Sequence, residues 1–483
     1  MGGFPTVGRR YRGATLGPMR LPLLFAASIL ATAAEPAKPA PASDQPLALK
    51  AKAQTATVLY RSQILPPLDR PVGEAIAIGG KSMPARTTAK GALEVDVAGD
   101  GKFKTFTKPG PLSLTLEKDK PNGKPGEKSK LPISLWLDKG ADGAWTWRNA
   151  TRITVWFGPD AVDLVDADGD GSWNGAGSDG LCWSGQEWVW PLPAADEPWC
   201  TPGAAIASFT IGPWGEEPKA TGRALSTVLP DTLPMLRNLN LARARLGLPA
   251  RPEDPALSAS LHKHCAYMVG TGVLAHPEDA GKPGYTVEGH ESGMNSILSK
   301  GVPAELVPAE LVPDNMIATF YHRIDCVRPG TLGFGLGSQG GFCGIDGRRN
   351  LSKAAGQWPI LVPVPDQTEV PAAFICEVPD PIAGDKQAGY PVTAYFDAEP
   401  VLKKGVLTVV GGPGQKPGTV VDCYTFDSKT GGEVTHNRYQ KVVALMAKEP
   451  LVVGAVYEVA MEVEVGGKPW SRTWRFLCGA KKR

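Results

Sequence analysis

Near the end of this 483-residue chain, Tyr457, Val459, Met461, Val463 and Val465 alternate with Glu458, Ala460, Glu462 and Glu464, and no other pattern in the sequence constrains the fold as much. Side chains on a strand point to opposite faces with a period of two, so this stretch makes a sheet with one apolar face and one wet face. Trp474, Phe476 and Cys478 repeat the pattern in the last strand, and the β-signal reaches back to GYPVTAYF, which predicts a β-sandwich over residues 388–483. Earlier in the chain PLSLTL, LPISLWL, TRITVWF and AVDLV are short apolar or alternating runs separated by Gly, Pro, Asn and Asp, which predicts an all-β domain over residues 55–214. With 57 glycines and 46 prolines the chain is rich in turn formers, favouring short strands over long helices. The tryptophans of GAWTWRN and CWSGQEWVW have two readings, packing in the core or a platform for carbohydrate.

Inside the first β-region lies DADGDGSWNGAGSD. Asp166, Asp168 and Asp170 alternate, Gly171 permits a sharp turn, and Ser172 offers its carbonyl, as at the start of an EF-hand-like calcium loop. Calcium is a hard cation that wants clustered oxygens, which is the chemistry this spacing supplies. The twelfth position is Gly177, where a bidentate glutamate belongs, and Asp179 is the carboxylate available farther along. A polar Asp/Gly turn without metal is the other reading.

Helical periodicity is confined to the middle of the chain, where five of the six histidines also fall. One helix carries Leu236, Leu239, Asn240 and Arg243 and ends at Gly247 and Pro249. Asp254 and Pro255 open a second, from about Ala256 to Val269, stopped by Gly270 and Gly272. Leu257, Leu261, His264, Cys265 and Met268 share one face of it, so His264 points inward and His262 away. A third follows Pro313 and Asp314, with Met316, Ile317, Phe320, Tyr321 and Ile324 at helical spacing and His322 and Arg323 near its end. TLGFGLG, QGGFCGID and AAFICEV then read as strands.

In order and wording, LNLARARLGLPARPEDPALSASLHKHCAYMVGTGVLAHPED, GYTVEGHESGMNSILSKG and FYHRIDCVRPGTLGFGLG resemble a CAP domain. That fold is shared by cysteine-rich secretory proteins, venom allergens, plant pathogenesis-related proteins and many bacterial secreted proteins. The resemblance is specific over residues 235–337 and implies a three-layer α-β-α sandwich over 231–380. It also implies a cleft in which His276 and His322 meet with two glutamates, a quartet that can hold a divalent metal such as zinc. Proline follows His276 where the family usually carries serine. Glu288 is the closer carrier of the first glutamate and Glu291 the second choice; Glu305 and Glu310, in VPAELVPAELVP, are the nearby carriers of the other. His264 reads as a core residue able to stand in for His276, and His290 as solvated. LVVGAVYEVAMEVEV with WRFLCG resembles the bacterial Ig-like modules that accompany secreted CAP domains, which implies spacing or adhesion.

Arg9, Arg10, Arg12 and Arg20 precede LPLLFAASIL, an apolar run too short to span a bilayer, and Ala31-Thr32-Ala33 offers a cleavage site. A Sec-type signal peptide is expected over 1–33, with translation starting at Met1 or Met19, then an Ala/Pro-rich linker over 34–54. An exported chain with eight cysteines predicts disulfides, paired by neighbourhood as Cys182 with Cys200, Cys265 with Cys326, Cys343 with Cys376, and Cys423 with Cys478. A formal net charge of +2 without a sustained basic run excludes nucleic acid as a partner, and no later segment is long and apolar enough to cross a membrane. The function expected is binding of a small ligand, peptide or envelope component through the cleft, secreted or at the cell envelope. The alternatives are a zinc hydrolase in which Glu288 or Glu291 activates water, and a purely structural surface protein. The hydrolase needs a third protein ligand, and no HExxH, GxSxG or Cys/His nucleophile pattern is present.

Overall fold

A computed structural model describes residues 44–483, less 57–59, 63–64, 66–67, 120–123, 226–231, 302–310, 353–357, 383–386, 433 and 480–483. The expected signal peptide, the choice of Met1 or Met19, and Glu305 and Glu310 lie outside the described residues. The described residues form one compact unit, and most of their buried apolar side chains, from Tyr60 to Cys478, belong to one continuous cluster. The sheets nonetheless fall into three successive regions.

Residues 45–224 build four antiparallel sheets. In its described part the linker expected over 34–54 is corrected: Gln45–Pro46 and Leu49–Thr55 are strands, the latter laid along Thr151–Phe157. The Ala/Pro bias hid LKAKAQT, whose alternation suits a strand. The region also runs past 214, because Lys219–Ala224 pairs with both Gln45–Pro46 and Ala204–Thr210. Trp145, Trp147, Trp183, Trp188 and Trp190 are all buried, which settles them as core.

The middle region holds a three-stranded sheet, Ile297–Lys300, Phe342–Asp346 and Gly335–Gln339, with Phe342–Asp346 central. Among the described residues five helices accompany it: α1 (Leu233–Arg245), α2 (Pro255–Thr271), α3 (Val287–Asn295), α4 (Val312–Ala318) and α5 (Arg323–Val327). Asp254 caps α2 by accepting from Ala256 N and Leu257 N, and Gly272 ends it at φ 70°, a left-handed turn suited to glycine. Leu261, Cys265 and Met268 of α2 pack with Leu298 and Phe342 on one face of the sheet. Glycine allows that contact to be close: a Cβ at Gly337 would stand 2.9 Å from Leu261 Cγ and 3.0 Å from Cys265 Sγ. Ile297, Leu336, Cys343 and Ile345, on the opposite face, join the large cluster together with Leu239 of α1, Met316 of α4 and Ile324 of α5. Helices therefore cover both faces of the sheet.

The single helix expected after Pro313 is two, broken at Thr319–His322. The break has a cause: Glu377 accepts hydrogen bonds from Phe320 N, Tyr321 N and His322 N at 2.6, 2.8 and 3.0 Å, drawing those amides out of a continuous helix.

The last region has two sheets, and it begins earlier than 388. Ile360–Val362 pairs with Val392–Tyr395, and Gln367–Val370 runs parallel to Lys468–Cys478. Tyr457, Val459, Met461 and Val463 are buried between exposed or half-buried neighbours, as the alternation requires. A further helix, α6 (Val434–Gln440), closes this region.

The disulfides are corrected: all eight cysteines are free. Cys265 and Cys326 belong to clusters on opposite faces of the central sheet, whereas a bridge needs Cα atoms within about 7 Å. Cys182 lies in the strand opposite Asp163, while Cys200 Sγ sits 3.2 Å from Arg251 O and 3.1 Å from Asn240 Nδ2. Cys343 is buried and Cys376 exposed; Cys423 and Cys478 stand in different sheets. Among the described residues no helix is long and apolar enough to cross a membrane.

Candidate functional site

The Asp-rich loop joins two paired antiparallel strands, Asp160–Val165 and Gly180–Trp183. Neighbours clamp it on several sides. Trp214 Nε1 donates to Gly171 O at 3.0 Å, Gly79 N to Asp170 O at 3.0 Å, and Asn149 Nδ2 to Asp166 Oδ2 at 2.8 Å. Within this frame, carboxylate oxygens of Asp166, Asp168 and Asp179 lie within 4.8 Å of one another. Asp166 and Asp179 are buried and Asp168 exposed, so the group opens to solvent on one side.

Asp170 is not part of this convergence: it is exposed and its Oδ1 accepts from Ser172 N at 2.7 Å. Asp179, the carboxylate that an EF-hand spacing would not nominate, supplies the third group. Its Oδ2 accepts from Gly175 N at 2.7 Å and its Oδ1 from Ala167 N at 3.1 Å, which folds the far end of the loop back onto its start. Burial pushes the Asp166 carboxyl up to about 6, against the pull of the Asn149 amide. Burial pushes Asp179 up to about 7, and the negative charges of Asp166 and Asp168 add to it. Both groups are thus costly to ionise alone, and a cation among them would reverse that cost.

The middle region treats its acid differently. His264, fully buried on α2, holds Glu278 Oε1 through Nδ1 at 2.9 Å and Ala275 O through Nε2 at 3.0 Å. Glu278 Oε2 accepts from Thr286 N at 2.9 Å, and Glu278 N donates to His290 Nδ1 at 3.1 Å. Helix α3 lies against this pair through its glycines: a Cβ at Gly293 would fall 2.3 Å from both His264 Cε1 and His276 O. With both ring nitrogens engaged, His264 has no atom left for a ligand.

His276 is exposed on the loop between α2 and α3, its Nδ1 held by Gly293 O at 2.8 Å. His322, at the start of α5, has its Nδ1 2.8 Å from Glu377 Oε2. Each imidazole is therefore tethered at Nδ1, the arrangement that orients Nε2 toward a ligand. Glu288 and Glu291 are exposed on α3, pairing with Lys263 at 3.5 Å and Arg349 at 3.9 Å. Among the described residues no hydrogen bond joins His276 to His322, and neither belongs to a group of three converging His, Cys, Asp or Glu ligand atoms. Among the described residues no third ligand atom joins either ring, which a zinc centre with three protein ligands needs.

Four residues that the sequence reading left unassigned organise this surface: Glu278, Glu377, Arg348 and Arg349. Arg349 reaches Ser292 Oγ on α3 at 3.0 Å and Asp346 Oδ2 at 2.5 Å, while Arg348 reaches Asp325 on α5 at 2.7 Å. Together they tie the two histidine-bearing sides of the sheet at one end. The sequence signal was the charged turn GIDGRRN after a strand. His436 of α6 packs on Tyr321 with ring centroids 5.3 Å apart, and Gln440 Nε2 donates to Tyr321 O at 2.6 Å, so the C-terminal region supports the His322 corner.

No known family matches the chain, and no curated protein does. Among solved structures it is similar to an extracellular protein containing an SCP domain from Bacillus anthracis str. Ames, at 11% identity over 44% of this chain and 84% of that one. The TM-score is 0.19, too slight a likeness to bear on fold or function.

Proposed function

We propose that this is an exported CAP-like protein with a binding role, whose N-terminal β-region holds a calcium ion between Asp166, Asp168 and Asp179. The observation that supports calcium is the convergence of three carboxylates, two of them buried, in a loop clamped from outside. Their chemistry is all oxygen, which favours a hard cation over zinc or copper. The ion would fix the turn between two core strands, a structural role that leaves the rest of the surface free to bind. Equilibrium dialysis of chelator-treated protein against calcium tests it. One ion retained per chain, and none in Asp168→Ala, is the expected result; no retention in the unaltered protein overturns it.

A second reading concerns the cleft of the CAP-like region, and the two Nδ1-tethered imidazoles favour it. His276 and His322 would present Nε2 to a small ligand, a peptide or a divalent metal, with Glu288 or Glu291 at the rim. Binding is favoured over hydrolysis because a water-activating zinc needs a third protein ligand, and among the described residues none accompanies either ring. Metal analysis of the His276→Ala, His322→Ala double variant beside the unaltered protein separates a metal cleft from a metal-free one.

A further inference from the structure

A cavity of about 300 Å³ opens where the helices of the middle region meet the C-terminal β-region. The C-terminal end of α1 contributes Arg245 and its capping residue Leu246, α4 contributes Asp314 and Ile317, and Val362, Glu369 and Ala372 line the side formed by the 360–372 stretch. Tyr390 also lines it and is fixed from behind: the Arg323 guanidinium lies 4.7 Å from its ring centroid and is itself held by Ile317 O at 2.5 Å and Pro391 O at 2.7 Å. Arg245 and Asp314, of opposite charge, both line this space.

The backbone at the rim carries an independent signal. Gln367 pairs with Phe476 and Val370 with Cys478, and the register shifts between them, which bulges residues 368 and 369 out of the strand. Glu369 sits there at φ 62°, a left-handed conformation rare for a residue with a Cβ. Its side chain is exposed, so core packing does not explain a glutamate at a position that glycine or asparagine would occupy with less strain. What the bulge does is place Glu369 in the lining that also holds Arg245.

We infer that this cavity binds a small zwitterion with an aliphatic body, of the size of a free amino acid or a dipeptide. Arg245 takes the carboxylate, Glu369 takes the ammonium, and Leu246, Ile317, Val362 and Ala372 bury the aliphatic part. Mutual pairing of opposite charges over an apolar wall is how a pocket of this size, at the small end of ligand sites, fixes orientation. The site is separate from the Asp loop and from the two imidazoles, and it stands whether or not those bind metal.

The test is calorimetric titration of the full chain with leucine, with leucyl-leucine, and with leucine acetylated at its amine and amidated at its carboxylate. Saturable binding of either zwitterion, and none of the doubly capped compound, is expected, and which zwitterion binds reports the size of the ligand. Arg245→Gln and Glu369→Gln should each weaken binding about tenfold or more, the loss of one charge-assisted contact. Ala372→Trp, which fills the cavity without touching its charges, should abolish binding while circular dichroism and melting stay those of a folded chain. No saturable binding of either zwitterion, equal binding of the capped compound, or Arg245→Gln binding as tightly as the unaltered protein would each overturn the inference. Calcium dialysis on the same preparation reads the proposed function separately.

Discussion

Two clusters in this molecule, one in the N-terminal β-region and one in the middle region, bury carboxylates and resolve the cost in opposite ways. Glu278 is surrounded by donors: one oxygen meets His264 Nδ1 and the other Thr286 N, and the ring that holds it is itself held by Ala275 O. Asp166, Asp168 and Asp179 face one another. The first arrangement is complete within the protein and behaves as structure. The second has backbone donors at its edges but like charges at its centre, so it asks for a cation. A buried acid, then, is informative about ligands only through what stands opposite it.

The largest effect should come from breaking the complete pair. His264→Ala leaves Glu278 buried without its ring partner, and a loss of about 3–5 kcal/mol in denaturant unfolding is expected. A variant as stable as the unaltered protein would make the pair incidental. Next, calcium at a hundredfold excess over its dissociation constant should add about 2.7 kcal/mol to stability, read as a rise in melting temperature that Asp168→Ala abolishes.

The pH response sharpens the same contrast. Asp166 and Asp179 have folded values raised to about 6 and about 7, above the unfolded carboxyl, so between those values the folded state binds more protons than the unfolded one. Stability of the metal-free protein should therefore fall as pH rises from about 4 to about 7, and calcium should flatten that slope. A metal-free stability that climbs over this range would show that the carboxylates are already paired.

Smaller again is Glu377→Ala, which strips an acceptor from three backbone amides at the start of α5. About 1–3 kcal/mol is the expected cost, with the His322 ring freed, visible as a changed imidazole resonance in NMR. Smallest is Asp170→Ala. Asp170 stands outside the converging group, so within about 0.5 kcal/mol no change in melting is expected, and calcium uptake should persist.

The same division between local and distant partners explains what the sequence disclosed. Helix α2 was legible because Asp254, Pro255 and Gly272 punctuate it and its apolar residues keep helical spacing. The strand Val456–Val465 was legible because its alternation is unbroken. Glu377 was not, because its partners are more than fifty residues earlier in the chain, and nothing in AAFICEV announces an acceptor for amides elsewhere. The break between α4 and α5 went unread for the same reason. Asp166 and Asp168 stood out by their spacing, and Asp179 as the carboxylate farther along, although what brings it in is a loop that returns through Gly175. The cysteine pairs followed proximity in sequence, and the central sheet stands between the two that mattered most.

Calorimetric titration of chelator-treated protein with calcium, in two buffers of different ionisation heat near pH 6.5, tests the Asp site most directly. Binding of one ion with release of protons, as calcium displaces them from Asp166 and Asp179, is the expected result, and Asp168→Ala should show neither. Absence of binding heat in both buffers, with melting unchanged by calcium, would contradict it.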